Sequence, residues 1–369
     1  MTEYTKKIYH TKIDTARYSF FVMGIDLGGT YTNIGVAGVG TDSVEMIASY
    51  EFETKSLNSI IPPINEVCSI IKKEYDIIID SLCVGAAGIV DKQQSAVQLT
   101  NVSWDISRKE IIEKTSISLV YLINDFQLIG YGIQLLNHSN PDEICIITKG
   151  ESRIQENTKA IIGAGSGLGK CLVFFNSKNK INTPLPSEGG HSDLPIYTEE
   201  EMKLVRFIKK QENISEPITY EHLLSGKGIE RIYHYLHSTQ DFQETTYTQA
   251  IDISNKKIAL ISKYKTIDKT CKNTFDMFIR IFARCAKNFA LDALPYGGMY
   301  IAGGIARKNK EIYQTDAFIN EFHNAYRRSN ILSEIPIYLI LDNEVSPKGA
   351  CFVAMQQFLD HEKEKNMKN

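Results

Sequence analysis

No two of the seven cysteines (Cys68, Cys83, Cys145, Cys171, Cys271, Cys285, Cys351) stand in a C-x-x-C pair, and most lie in apolar segments. Neither a thiolate zinc site nor a disulfide framework is indicated, so a reducing compartment is expected. Long hydrophobic runs are also missing: no stretch reaches the ~18 residues that span a bilayer. The polar opening, residues 1–17, lacks the apolar core of a signal peptide. A cytoplasmic protein with no membrane partner is expected. Neither sign of charge predominates, the formal net charge being -3, which gives no electrostatic reason for nucleic acid as a partner. A small-molecule ligand fits better. No fixed-period repeat and no low-complexity tract occurs, and 369 residues suffice for two domains or one large one.

Three nucleotide and hydrolase signatures are absent. There is no G-x-x-x-x-G-K-[ST], no nucleophile elbow, and the run from Gly163 fails G-x-G-x-x-G because Leu168 takes the last glycine position. What is present is a pair of apolar runs ending in glycine turns. Phe20 to Ile25 leads into Asp26-Leu27-Gly28-Gly29-Thr30, and Ala160-Ile161-Ile162 leads into Gly163-Ala164-Gly165-Ser166-Gly167-Leu168-Gly169. Glycine lets backbone N–H groups approach phosphate oxygens, and Thr30 and Ser166 add hydroxyl donors. Asp26 stands where a carboxylate can hold a hydrated divalent metal on those phosphates. The alternative is two ordinary hairpin turns.

Strand patterns are predicted at 20–26, 33–39 and 45–52. A helical pattern near 58–74 is broken early by Pro62-Pro63, and Ile77-Ile78-Ile79 reads as a buried strand leading to Ser81 through Gly85. Ser118 to Ile123 delivers Asn124-Asp125 at a strand's carboxyl end, with a helix beyond. Helical patterns follow at 198–211, 219–237, 247–264 and 273–294, strands at 298–302 and 337–341, and a closing helix at 347–366 begun by Pro347. Strands alternating with helices imply an α/β fold whose ligands collect at the carboxyl ends of strands. The domains are drawn as an extension or edge strand at 1–19, a small α/β domain at 20–150 to which helix 347–366 returns, and a large α/β domain at 151–346.

An aspartate at a strand end beside a helix start suits a general base for a hydroxyl, but Asn and Asp are also favoured helix N-caps. Pro186-Ser187-Glu188-Gly189-Gly190-His191-Ser192-Asp193 mixes acid, imidazole and flexible backbone, as hydroxyl recognition requires. Metal ligation by Glu188, His191 and Asp193 and a purely structural loop are the rival readings. Glu221 lies near a helix start and can complete the hydroxyl-binding set or act as a dipole-stabilising surface acid. Gly303-Gly304 after a strand lets a ribose or base lie on the backbone, or simply makes a tight turn.

Taken in order, these motifs resemble the bacterial-type glucokinase family, in the zinc-free branch of the sugar kinase, actin and Hsp70 superfamily. The resemblance covers about residues 22–355. Asp26 to Thr30 resembles the first phosphate loop, Leu122-Ile123-Asn124-Asp125-Phe126 the catalytic segment, Gly163 to Gly169 the second phosphate loop, and Ser187 to His191 the sugar loop. Glu221 with Leu224-Ser225-Gly226-Lys227-Gly228 resembles a further sugar-binding acid and turn, Ile301 to Ile305 the adenosine turn, and Leu99-Thr100-Asn101-Val102-Ser103-Trp104 a segment flanking the sugar. The resemblance implies a two-domain, ribonuclease H-like fold with a cleft, and ATP-dependent phosphorylation of an aldohexose, glucose first. It implies Asp125 as base, with Asn101, Asn124, Glu188, His191 and Glu221 on the sugar. Mg-ATP falls to Asp26, Gly28, Gly29, Thr30, Gly163, Gly165, Ser166, Gly167, Gly303 and Gly304, and a homodimer is compatible. Two residues depart from the family: Asn33, where a basic residue is common, and Lys170, where an apolar one is usual. The competing functions are a sugar-binding sensor without useful catalysis, a kinase for another hexose, and an ATPase of the actin or chaperone kind.

Overall fold

The structure, a computed structural model, describes residues 3–10, 13–41, 43–91, 93–99, 102–150, 157–178 and 180–368. Its contacts divide the chain into one unit of residues 1–137 and 342–369 and a second of residues 138–341.

The first unit contains β1 (Tyr4–Ile8), β2 (Phe20–Leu27), β3 (Tyr31–Val39), β4 (Val44–Glu53), α1 (Ile61–Tyr75), β5 (Ser81–Ala86), β6 (Gly88–Val90), β7 (Ala96–Leu99), β8 (Ile106–Ser107), α2 (Arg108–Lys114), β9 (Leu119–Asn124) and α3 (Asp125–Gly132). Its main sheet has the order β1-β4-β3-β2-β5-β9, with β2, β5 and β9 parallel and the rest an antiparallel meander. The opening segment is therefore a sheet edge: Tyr4 to Ile8 pair with Phe52 to Ala48. Pro62 and Pro63 do not break α1 but begin it, because the first helical turn needs no N–H donors, and Asp76 ends it in a left-handed conformation. The run Ile77-Ile78-Ile79 is not a strand. Ile78 is 61% exposed, and pairing starts at Ser81.

The second unit contains β10 (Ile144–Thr148), β11 (Lys159–Ala164), β12 (Leu168–Asn176), β13 (Ile181–Ser187), α4 (Glu199–Glu212), α5 (Tyr220–Leu223), α6 (Gly226–His237), α7 (Thr246–Asp252), α8 (Lys257–Tyr264), α9 (Lys269–Ala293), β14 (Met299–Ala302), α10 (Gly304–Lys308), α11 (Asp316–His323), α12 (Ser329–Glu334) and β15 (Ile337–Ile340). The sheet order is β10-β15-β14-β11-β12-β13. Because β10 pairs with β15 in this sheet, the boundary lies at 137/138 and not at 150. The predicted helix 219–237 is two helices: Ser225 is extended and its hydroxyl accepts the Gly228 N–H, capping α6. Phe275, Phe278 and Phe282 of α9 form the aromatic centre of the core with Tyr313 and Phe318.

The chain then returns to the first unit through α13 (Val345–Lys368). Small residues let this helix lie almost on the backbone beneath it. A Cβ on Gly24 of β2 would fall 2.4 Å from the Cys351 nitrogen, one on Gly349 of α13 would fall 1.9 Å from the Leu128 carbonyl oxygen of α3, and one on Gly132 would fall 2.0 Å from the Val345 oxygen. The seating of α3 thus depends on α13.

Candidate active site

In the first unit the parallel register pairs Asp26 with Gly85 and Ala86 with Asn124. Asp26 and Asn124-Asp125 therefore emerge at the same end of the sheet, two strands apart, or roughly 10 Å at the usual interstrand spacing. The first glycine turn is the β2–β3 hairpin, so the hairpin and phosphate-loop readings describe one segment. Gly28 N–H donates to the Tyr31 carbonyl at 3.0 Å. Buried Thr54 holds the turn from outside: its hydroxyl donates to the Gly28 carbonyl at 2.8 Å and its N–H to the Thr30 carbonyl at 2.9 Å. Sequence reading missed Thr54, a lone threonine after a strand with no motif around it. Gly29 is half-buried at the tip and Thr30 is exposed.

The two readings of Asn124-Asp125 separate between the two residues. Asn124 is the N-cap of α3: its Oδ1 accepts the Phe126 N–H at 2.9 Å, while its own N–H donates to Gln127 Oε1 at 3.3 Å. Asp125 is the first helical residue, half-exposed, and its Oδ1 also receives the Phe126 N–H at 2.9 Å. A carboxylate there is favoured by the helix dipole and stands at the strand end. Asn101 lies outside the described residues. Beside it, Trp104 Nε1 donates to the Leu57 carbonyl at 3.0 Å and Asp105 Oδ1 accepts the Leu99 N–H at 3.2 Å.

In the second unit, Gly163 is buried within β11, opposite Gly169 and Ala302, and belongs to the strand rather than the turn. The turn itself is Gly165-Ser166-Gly167. Gly165 N–H donates to the Gly167 carbonyl at 2.8 Å, and the Gly165 carbonyl accepts the Gly226 N–H at 2.9 Å. Gly303 has φ +97°, and a Cβ there would fall 2.6 Å from the Ala164 carbonyl oxygen. With Gly304 opening α10, three glycine segments meet at the carboxyl ends of β11 and β14.

The Leu168 peptide joins this turn to the acids. Its N–H donates to Glu221 Oε2 at 2.8 Å, and its carbonyl oxygen would lie 2.0 Å from a Cβ on Gly190. Glu221 is therefore fastened to the second glycine turn, a partner the sequence does not reveal. Glu188 and His191 are exposed, with Nε2 and Oε2 3.9 Å apart. Next to Glu221, His222 Nδ1 accepts the Thr219 N–H at 3.1 Å, and burial, aided by Arg231, pushes the imidazole below its ordinary value. Among the described residues no three His, Cys, Asp or Glu side chains converge as a metal site, so Glu188, His191 and Asp193 are not gathered around an ion.

The segment after the Glu188–His191 turn is anchored by a buried ion network. Arg284, 3% exposed, pairs with both Glu201 oxygens at 2.9 and 3.0 Å, donates to the Pro195 carbonyl at 3.1 Å and lies 3.7 Å over the Tyr197 ring. Burial opposes ionisation of Glu201, but Arg284 and the Tyr197 N–H outweigh it and hold the carboxyl below its ordinary value. Glu201→Gln is expected to destabilise the fold by about 3 kcal/mol in urea melts at pH 7. The native carboxyl lies below its reference value of 4.5, so its contribution is complete above that pH and lost as pH falls through the native value. The gap between mutant and wild type should stay constant from pH 7 to 5 and narrow below 4.5; a gap that widens in acid would contradict the assignment.

Among the described residues no helix is long and apolar enough to cross a membrane. The glucokinase family model matches residues 23–357. A glucokinase of Nostoc sp. is 30% identical over 344 residues, covering 89% of this chain and 97% of its own. Two solved structures share the fold: a glucokinase from Balamuthia mandrillaris in complex with glucose (TM-score 0.73, 18% identity, 91% of this chain, 94% of that one) and a ROK family glucokinase from Streptomyces griseus in complex with glucose and AMPPNP (TM-score 0.61, 16% identity, 91% and 99%). The architecture is the α/β fold of these two sugar kinases, and with the family model spanning most of its length the chain belongs to the glucokinase family.

Proposed function

We propose that this protein transfers the γ-phosphoryl group of ATP to the 6-hydroxyl of glucose, giving glucose 6-phosphate and ADP. One observation carries the reading: Asn124 takes the capping work of α3, so the adjacent Asp125 carboxylate stands half-exposed at a strand end, at the same end of the sheet as Asp26. Asp125 accepts the hydroxyl proton as the oxygen bonds to the γ-phosphorus and the bond to the bridging oxygen of ADP breaks. The Asn124 amide nitrogen, Asn101, Glu188, His191 and Glu221 hold the other hydroxyls, a carboxylate accepting from two vicinal O–H groups. With the Gly28 and Gly165 N–H groups closing their own turns, the backbone N–H groups of Gly29-Thr30 and Ser166-Gly167 face phosphate oxygens, and Gly303-Gly304 faces the adenosine. The glucose and AMPPNP in the related structures support this choice of ligands.

A hard divalent cation fits the oxygen donor at Asp26, which would hold Mg²⁺ through water. When bound with the nucleotide, Mg²⁺ supplies charge neutralisation on the phosphates.

The test is a coupled assay of ADP release with Mg-ATP and glucose, mannose, fructose, glucosamine or N-acetylglucosamine. Glucose-dependent turnover on the order of 1–100 s⁻¹ is expected. Hexose binding, seen as a thermal shift, without ADP release above the sugar-free rate would replace the kinase with a sensor.

A further inference from the structure

We propose that Lys170 is a positioning residue for hexose binding, its buried ammonium holding the Glu188–His191 turn and the Tyr220–Glu221 segment in their mutual placement; this rests on the phosphotransfer reading above. Lys170 is 6% exposed on β12, opposite Ser187 in the ladder. A Cβ on Gly189 would lie 3.0 Å from its Cδ and 3.4 Å from its Nζ, so the side chain runs directly beneath the turn that carries Glu188. Nζ is 5.3 Å from the ring centroid of Tyr220, the neighbour of Glu221, and 5.3 Å from that of Phe289 on α9. One cation thus touches the turn, the second acid's helix and the long core helix.

The energetics distinguish this arrangement from simple filling. A buried ammonium loses its hydration, and among the described residues no carboxylate lies within ion-pair distance of Lys170 to offset that loss. The two aromatic faces return only part of that hydration. An apolar side chain at this strand position would avoid that cost. The cation contributes geometry instead: it draws the Tyr220 ring and the floor of the Gly189 turn toward one point. The Tyr220 N–H to Ser192 carbonyl bond at 3.0 Å and the Asp193–Thr219 bridge close the same two segments from the other side.

Lys170→Met keeps the stem and removes the charge. Its KM for glucose is expected to rise about tenfold, the equivalent of 1.4 kcal/mol of lost preorganisation, with kcat and the KM for ATP within about threefold of wild type. Gly189→Ala reads the same contact from the other side and serves if the first variant does not fold. Its methyl group presses on the Lys170 stem at Cδ, 3.0 Å away, and so shifts the ammonium; it should raise the glucose KM alone and lose most of that effect in the Lys170→Met background, where no ammonium remains to be shifted. Glucose KM values unchanged in both variants, or effects that add in the double variant, overturn the role of Lys170 while leaving the kinase intact. A wild-type protein that releases no ADP with any hexose overturns the phosphotransfer reading and this inference together.

Discussion

Asp125→Asn is expected to lower kcat roughly 10²–10⁴-fold, the usual contribution of a positioned general base, while glucose binding stays within a few-fold of wild type. The substitution is isosteric. The amide oxygen can still receive the Phe126 N–H that Oδ1 accepts at 2.9 Å, so α3 keeps its start. Because Asn124 is the residue that caps this helix, loss of the Asp125 charge should leave the thermal midpoint almost unmoved. What the amide cannot do is take the hydroxyl proton as the oxygen attacks phosphorus. The check is steady-state kinetics paired with a glucose titration of Trp104 fluorescence, Trp104 being the single tryptophan of the chain. A kcat within tenfold of wild type would remove Asp125 from the role of base.

Gly349→Ala should produce the largest structural effect. The methyl group would fall 1.9 Å from the Leu128 carbonyl oxygen and 2.8 Å from the Gly132 nitrogen, both backbone atoms of α3 that no rotamer change can relieve. Forcing the two helices apart is expected to cost about 3–4 kcal/mol, or about 10 °C in Tm. The displaced helix begins at Asp125, and a shift of about 1 Å in a catalytic group can cost 10²-fold in rate. So kcat should fall in the fraction of protein that remains folded, with the KM for ATP less affected. Gly304→Ala is the reference for stability, since a methyl group there meets nothing within 4 Å. Differential scanning calorimetry decides the matter: equal midpoints for the two variants would show that the helices do not need the glycine.

The contrast between these two residues measures what the sequence made readable. Asp125 stood out because a carboxylate at a strand end has few structural uses, and its one rival use, helix capping, belongs to its neighbour. Gly349 did not, since a glycine inside a helical pattern looks like a flaw until the facing backbone is known. Pro62-Pro63 were read as interruptions because proline disfavours helix interiors, yet the first turn accepts them. Ser225 falls both within a helical pattern over 219–237 and, by resemblance, within a turn; its capping bond to Gly228 decides for the turn. The glycine turns, the acids and the strand ends that carry them were legible as local patterns. Thr54, the Leu168 bond to Glu221 and the ammonium of Lys170 were not, because each acts across tens of residues of chain and none has a local signature.

The discontinuity of the first unit gives its assembly a timetable. At 5–20 residues per second on the ribosome, roughly 10–40 s separate synthesis of α3 from synthesis of the helix that seats it, because about 200 residues of the second unit are translated in between. Throughout that interval Gly24 and Gly35 of the first sheet wait for the α13 residues that cover them, Pro347, Ala350 and Cys351. The second unit, continuous in sequence, can complete its core while the first still waits for the residue that fits against Leu128. Asp125 is thus made about 200 residues before the helix that seats α3.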